Sequence, residues 1–303
     1  MDLSVIVVNW NTRDLLYQCL TSIYENSTGV QFEVIVVDNG STDGSIDMIV
    51  RDFPHTVLIR NDMNCGFARA NNQAIARSKG HYILLLNSDA VLLGDSAQSM
   101  VHFLDTHPGA GAVGGRLLNP DGSFQSSYND FPGLFSETLL LAGLSRWLLP
   151  GTYPSYPEGA SQEVRSVDWV GGALLMVRRQ AIDGVGLLDE DYFMYSEEMD
   201  WCYRMKKGGW EIHYLPQARA LHRFAGSASR VPEKRRAQLY RSKWLFMKKH
   251  HGWLAAMTYR FLVRAVSVFK LWAWLSVVLL ADRSNRPIAR QHVAAYRFLL
   301  SNF

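Results

Sequence analysis

An α/β fold built on a mostly parallel, doubly wound sheet is predicted by three observations. Short β-branched runs alternate with helix-spaced apolar patterns through the first 90 residues, and each run ends in polar residues. The 303 residues are 48% hydrophobic and 19% charged, which supplies an ample core and excludes global disorder. In such sheets ligands bind beyond the carboxyl ends of the strands, so the polar residues there are the first candidates for function.

SVIVV (Ser4–Val8) reads as a buried parallel strand running into Asn9, Trp10 and Asn11. Thr12–Asn26 places Leu15, Leu16, Cys19, Leu20 and Ile23 at helical spacing, with Thr12 as the capping residue. FEVIVVD (Phe32–Asp38) is a second strand, NGSTDGS a Gly-rich loop, and Ile46–Phe53 a helix. TVLIRN, Phe67–Ser78 and YILLLN (Tyr82–Asn87) give a third strand, a third helix and a fourth strand. Asn119–Asp168 is rich in Gly, Pro, Ser and Tyr around an apolar island at Leu134–Leu149, expected as loops around one short helix. Trp169–Arg178 is expected as one strand, followed by a helix from Arg179, a loop over Tyr192–Ser196 and a helix over Glu197–Lys207.

The net charge of +3 hides a division: residues 1–229 carry 16 Lys+Arg against 26 Asp+Glu, whereas residues 230–303 carry 15 against 2. An acidic globular part thus bears a basic tail. Cys19, Cys65 and Cys202 are far apart with no CxxC pair, which excludes a disulfide framework or cysteine zinc site and fits a reducing compartment. MDLSVIVVNWN begins with an acid and its short apolar run ends in polar residues, unlike a signal peptide, so a cytosolic protein is expected. No stretch supplies the ~20 uninterrupted apolar residues that a bilayer core requires. The nearest, Ala265–Ala281, is interrupted by Lys270.

Three segments carry chemistry. NSDA (Asn87–Ala90) follows an apolar strand and presents the Asp89 carboxylate at the sheet edge, as a turn residue or as an oxygen ligand for a cation bridging to a diphosphate. MYSEEMDWCYR (Met194–Arg204) packs Glu197, Glu198 and Asp200 beside aromatics. Acids at a helix amino terminus favour the dipole, which is one reading; a general base with a raised pKa is the other. His222 in ALHRFAGS follows the strand-like IHYLP.

Seven segments occur in one order: SVIVVNWN, VIVVDNGSTDGS, NCGFARANNQAI, YILLLNSDA, GGALLMVRRQAI, GLLDEDYFMYSEEMDWCYRMKKGGW and ALHRFAGS. Together they resemble family 2 glycosyltransferases of the GT-A fold, and within them the bacterial rhamnosyltransferases of the WbbL-like branch, over about residues 3–250. The resemblance implies a Rossmann-like sheet flanked by helices over residues 1–229, with a nucleotide-binding half at about 1–118 and an acceptor half at about 119–229. It assigns the nucleotide to Val8, Asn11 and Asp38, with Asn64, Gly66 and Asn71 near the base and ribose. The family's Asp-x-Asp-type motif falls on Asn87, Ser88 and Asp89; Asn87 replaces the first carboxylate, and Asp89 is the implied ligand of Mg²⁺ or Mn²⁺. His222 matches a family histidine that approaches the metal or diphosphate. The family's base maps to Glu198, which is Glu where Asp is more common, with Glu197 and Asp200 as competitors. Trp169, Gly171 and Gly172 form either a floor near the acceptor or a packed strand bulge.

The implied reaction is inverting, metal-dependent transfer of a sugar, rhamnose from dTDP-rhamnose or another from a UDP-sugar, to a lipid-linked saccharide in polysaccharide synthesis. A non-catalytic membrane-attached scaffold or sugar-nucleotide-binding protein on a degenerate GT-A domain is the alternative, and a nucleotidyltransferase is a third reading. The tail, residues 230–303, combines Trp253, Phe261, Phe269, Trp272 and Trp274 with Arg260, Arg264 and Lys270. That is the composition of a basic amphipathic helix lying in an anionic membrane interface, peripheral to the cytoplasmic face of the inner membrane. Packing on its own domain or on a second subunit is the other reading, and nucleic acid is disfavoured by the aliphatic content.

Overall fold

The computed structural model describes residues 1–27, 29–148, 162–223, 232–280 and 286–303. Leu149, Phe224–Ser227, the division at 229/230 and Ala281 lie outside the described residues. The first elements are β1 (Leu3–Asn9), α1 (Arg13–Asn26), β2 (Phe32–Asp38), α2 (Ser45–Asp52), β3 (Val57–Arg60), α3 (Phe67–Ile75) and β4 (Tyr82–Asn87). Then come β5 (Ala90–Leu93), α4 (Ser96–Thr106), β6 (Ala110–Leu118), β7 (Phe124–Gln125) and β8 (Tyr128–Asn129). Next are α5 (Leu134–Ala142), α6 (Ser145–Leu148), β9 (Arg165–Ser166), β10 (Trp169–Val170), β11 (Leu174–Arg178) and α7 (Arg179–Val185). Last come α8 (Glu197–Lys207), β12 (Glu211–His222), α9 (Pro232–Leu280) and α10 (Arg286–Asn302).

Contacts divide the described residues between two compact units, Met1–Phe131 with Gly151–Ser229 and Pro132–Pro150 with Arg230–Phe303. In the first, the sheet runs β3-β2-β1-β4-β11-β6-β12-β5. β3, β2, β1 and β4 are parallel, as are β6 and β12, while β11 and β5 oppose their neighbours. The mostly parallel α/β class is therefore present. Alternation along β1 explains the layers: Leu3, Val5 and Val7 join the core under α1, α2 and α4. Ile6 joins the opposite core under α3, α7 and α8, with Ile35, Val37, Trp201 and Met205. Each fully buried aliphatic side chain contributes about 1.5–3 kcal/mol relative to exposure, so the two-sided apolar strands are the main source of cohesion.

Four expectations change. Thr12 makes no capping bond; its hydroxyl donates to Asn9 Oδ1 at 2.6 Å and lies 2.9 Å from the Ser88 hydroxyl. The helix expected to reach Ser78 ends at Ile75, where Arg77 and Ser78 turn their N–H groups to carbonyls three residues back. The strand expected over Trp169–Arg178 is two strands, because Gly171–Ala173 leaves the ladder: Gly171 N–H donates to the Ser127 carbonyl and β10 pairs with β8. The apolar island forms two helices, α5 and α6, in place of one.

The second unit is helical. Its core gathers Leu141 of α5 with Met247, Tyr259 and Val263 of α9 and Leu299 of α10, and Lys243 pairs with Glu137 at 2.6 Å. Gly252 interrupts α9 at φ 88. Beyond it the Trp274 and His292 rings stack at 4.0 Å, and Arg260 donates to the Phe303 carbonyl at 2.8 Å, so Arg260 serves the fold. An 18-residue window within Lys234–Leu280 has mean hydropathy 1.7 and is 11% buried. By length and composition that helix can cross a membrane, contrary to the reading that Lys270 breaks the apolar stretch, because a single lysine can extend its ammonium along the helix.

The segment leading to α8 hangs on one amide. Asn72 Nδ2 donates to the Leu188 carbonyl at 2.8 Å and to Glu190 at 3.0 Å, and Asn72 Oδ1 accepts the Leu188 N–H at 3.1 Å. Asn72→Ala leaves a buried backbone donor and acceptor unpaired and is expected to cost about 2 kcal/mol or more, read as a lower midpoint in urea with an unchanged slope.

Candidate active site

The carboxyl ends of β1, β2 and β4 meet in one polar network. Asn9 is buried; its Nδ2 donates to Asp38 Oδ2 at 2.8 Å and to the Ser41 hydroxyl at 3.1 Å. Asp38 Oδ1 accepts the Ser41 N–H at 2.8 Å, so both carboxylate oxygens are engaged and the side chain is 0% exposed. Asp38 thus shapes the loop that follows β2. Asn11 sits at φ 54 and its Oδ1 accepts the Thr42 N–H at 2.8 Å, which folds the second loop over the first. Val8 lies between Val37 and Asn87 in register.

Asn64 Oδ1 accepts the Gly66 N–H at 3.0 Å, and Asn39 Nδ2 donates to the Gly66 carbonyl at 3.2 Å. Gly66 has φ +89, and a Cβ there would lie 2.5 Å from the Phe193 carbonyl, which also accepts the Phe67 N–H. Only glycine admits that approach. Asn71, expected near the ribose, is 1% exposed and donates to the Phe67 carbonyl at 2.9 Å within its own helix. That bond holds its amide against the first turn of α3.

Asn87, Asp89 and His222 do converge. The His222 Nε2 lies 3.2 Å from both Asp89 Oδ1 and Asn87 Nδ2. Its Nδ1 lies 2.6 Å from Gln125 Oε1, and Gln125 Nε2 donates to Asn119 Oδ1 at 3.0 Å. Since the Gln125 oxygen can only accept, the proton sits on Nδ1 and Nε2 turns toward the Asp89 carboxylate. The Asn87 amide N–H lies within hydrogen-bond distance of that Nε2, and a cation beside the Asp89 carboxylate could take the same lone pair. Among the described residues there is no group of three or more metal-ligating side chains. The donor set, one carboxylate and one imidazole with an outer-shell amide behind it, therefore suits a divalent ion whose remaining ligands come from a diphosphate and water, not an all-protein cage. Gln125 is the residue that sequence reasoning missed. It lies 97 positions from His222 in a Ser-rich stretch with no periodic signal.

Gly171–Ala173 joins this edge to the acids. The Asn87 N–H donates to the Ala173 carbonyl at 3.2 Å, and the Gly172 backbone lies close enough to the Glu198 carboxylate to favour its charged form. A Cβ on Gly172 would meet Phe67 at 3.4 Å and the Glu198 Cβ at 3.9 Å. Trp169 donates its indole N–H to the Asp130 carbonyl at 3.0 Å, and Gly171 is held by Ser127. Glu198 is half-buried and Glu197 is 4% exposed; each has one buried carboxylate oxygen with no hydrogen-bond partner among the described residues. Burial raises both pKa values, and the neighbouring Glu198 charge raises Glu197 further. Asp200 differs: its Oδ2 pairs with Arg204 Nε at 2.8 Å and its Oδ1 accepts from Tyr192 at 3.4 Å. Arg204 continues to the Val185 and Leu187 carbonyls, so Asp200 is tied into the anchoring of α8. Tyr195 and Ser196, immediately before α8, have φ 70 and 69.

Comparison with known proteins accounts for the arrangement. A model of glycosyl transferase family 2 matches residues 4–165. The chain is 31% identical over 267 residues to the N-acetylglucosaminyl-diphospho-decaprenol L-rhamnosyltransferase of Mycobacterium tuberculosis, covering 84% of this chain and 87% of that one. It is 24% identical over 270 residues to rhamnosyltransferase WbbL of Escherichia coli, covering 86% and 92%. Its fold matches mannosyltransferase PcManGT from Pyrobaculum calidifontis, solved with GDP-Man and Mn²⁺, at TM-score 0.57 and 17% identity over 99% of this chain and 85% of that one. With a family model spanning more than half its length and a relative aligned over most of both chains, this chain belongs to glycosyl transferase family 2 and is a glycosyltransferase.

Proposed function

We propose that this glycosyltransferase moves rhamnose from dTDP-rhamnose to a lipid-linked saccharide with inversion at the anomeric carbon, in cell-surface polysaccharide synthesis. The observation that carries the chemical half is Glu198: a carboxylate beside the Gly172 backbone, raised in pKa by burial, and joined through Gly172–Ala173 to the Asn87–Asp89 edge. The donor and acceptor half draws on the rhamnosyltransferase relatives, one of which is named for a diphospho-decaprenol substrate.

Glu198 takes the acceptor hydroxyl proton as that hydroxyl attacks opposite the leaving nucleotide; one base and a direct displacement give inversion. Glu197, more deeply buried beside a like charge, stays protonated to higher pH and leaves the base role to Glu198. Gly172 keeps the floor open beside the base. Asp89 and His222 would hold Mg²⁺ or Mn²⁺, which when bound supplies positive charge for the departing diphosphate. Asn11, Asn64, Gly66 and Ser88 bound the nucleotide side through loop backbone, and Gly171 with Trp169 bounds the acceptor side. Residues 1–229 are the catalytic part and 230–303 the membrane-associating part. Phe269 and Trp272 are 73% and 67% exposed, and with Arg264 they suit the anionic cytoplasmic face of a membrane, held peripherally.

Glu198→Gln is expected to lower kcat by ~10²–10⁴ while leaving nucleotide binding unchanged, measured by a transfer assay beside calorimetry. Because the raised pKa places Glu198 in its proton-accepting form only at higher pH, kcat/KM should climb with pH through a value above the ordinary carboxylate range near 4.3. A profile flat down to pH 5 would count against this base. Calorimetry of dTDP, UDP and GDP, each with Mn²⁺, Mg²⁺ or chelator, should show metal-dependent binding that favours dTDP and is lost in Asp89→Ala. A UDP or GDP preference overturns the donor, and absence of all binding overturns the reading.

A further inference from the structure

Within the second unit, the carboxyl-terminal end of α9 and one face of α10 enclose an open groove of about 660 Å³. That volume is in the range of small-molecule sites. Its walls are Leu275 and Val278 on α9 and Val293 and Phe298 on α10, and its rim carries Arg290 and Arg297. The Trp274–His292 stack clamps the two helices beside it. Arg290 and Arg297 are exposed, and among the described residues neither takes part in an ion pair and no carboxylate lines the groove. Seven residues apart, they stand two helical turns along one face, about 10.5 Å of rise, so both guanidinium forks can reach one anion.

We propose that this groove binds the diphosphate head and first apolar units of a single-chain lipid diphosphate. The proposal rests on the lipid-linked acceptor reading above and names where the lipid part is held. Two guanidiniums over an apolar trough complement an anion covalently joined to a hydrocarbon: planar forks match phosphate oxygens bidentately, while the aliphatic walls take the chain. A free anion leaves the apolar walls unused, which is why an anion joined to a hydrocarbon is the better match. Leu279 and Leu280, the last residues of α9, are exposed apolar side chains.

The full-length protein is titrated with geranylgeranyl diphosphate, inorganic diphosphate and phosphatidylglycerol vesicles, in chelator so that the Asp89–His222 edge cannot take the diphosphate through a metal. Geranylgeranyl diphosphate should bind more tightly than inorganic diphosphate. R290Q/R297Q should weaken it roughly tenfold to a hundredfold, and Ala294→Trp, which fills the groove with both arginines in place, should weaken it similarly. Binding of dTDP with Mn²⁺ should be unchanged in both variants, which also reports that they are folded. Unaltered lipid affinity in both variants overturns the proposal, as does equal affinity for inorganic diphosphate or a loss confined to vesicle binding. If the chain binds no nucleotide yet shows the groove-dependent lipid binding, the transferase reading falls and the groove stands.

Discussion

The buried carboxamide of Asn9 ties together everything that follows at the sheet edge. It donates to Asp38 and Ser41 and accepts from Thr12, whose hydroxyl meets Ser88. Three loops that follow β1, β2 and β4 are thereby fixed by one side chain from which water is excluded. In so dry a setting each bond is strengthened and each unmade bond is costly, so the loops are held as a set. Asp89 emerges from the last of them, and its position relative to His222 depends on that agreement.

Much of this was legible in the sequence because it is local. β2, β4 and α8 begin and end where period and polarity place them, since a β-branched run bounded by Asn or Asp has few other uses in a parallel sheet. The Asn87–Asp89 edge and the acids at Glu197 and Glu198 were visible for the same reason. What escaped was set by side-chain pairings that hydropathy patterns do not specify, some local and some long-range. Asp200 looks identical to its neighbours until Arg204 and Tyr192 are seen to engage it, and Asp38 until Asn9 and the Ser41 N–H close over it. Gln125 and Asn72 work across 97 and 116 positions, and polar residues inside loops carry no period to announce them.

The two ends of the chain's chemistry obey different electrostatics. In the first unit two glutamates are packed where charge is disfavoured, so protonation is the adjustable quantity. In the second, basic residues outnumber acids and the arginines at its groove are exposed, so its attraction to anions is of the kind that salt screens. The two units thus differ in kind, with buried carboxylates in one and exposed cations in the other.

Tyr195 and Ser196 hold left-handed backbone in succession, a conformation that costs side-chain-bearing residues roughly 1–2 kcal/mol apiece. The first turn of α8 is consequently wound against a spring: Arg204, Trp201 and the Asn72 clamp hold it closed, and the two glutamates ride on the wound end. The placement of both carboxylates is therefore fixed from the far side of α8, by bonds that cost strain at its entry, and not by the sheet alone.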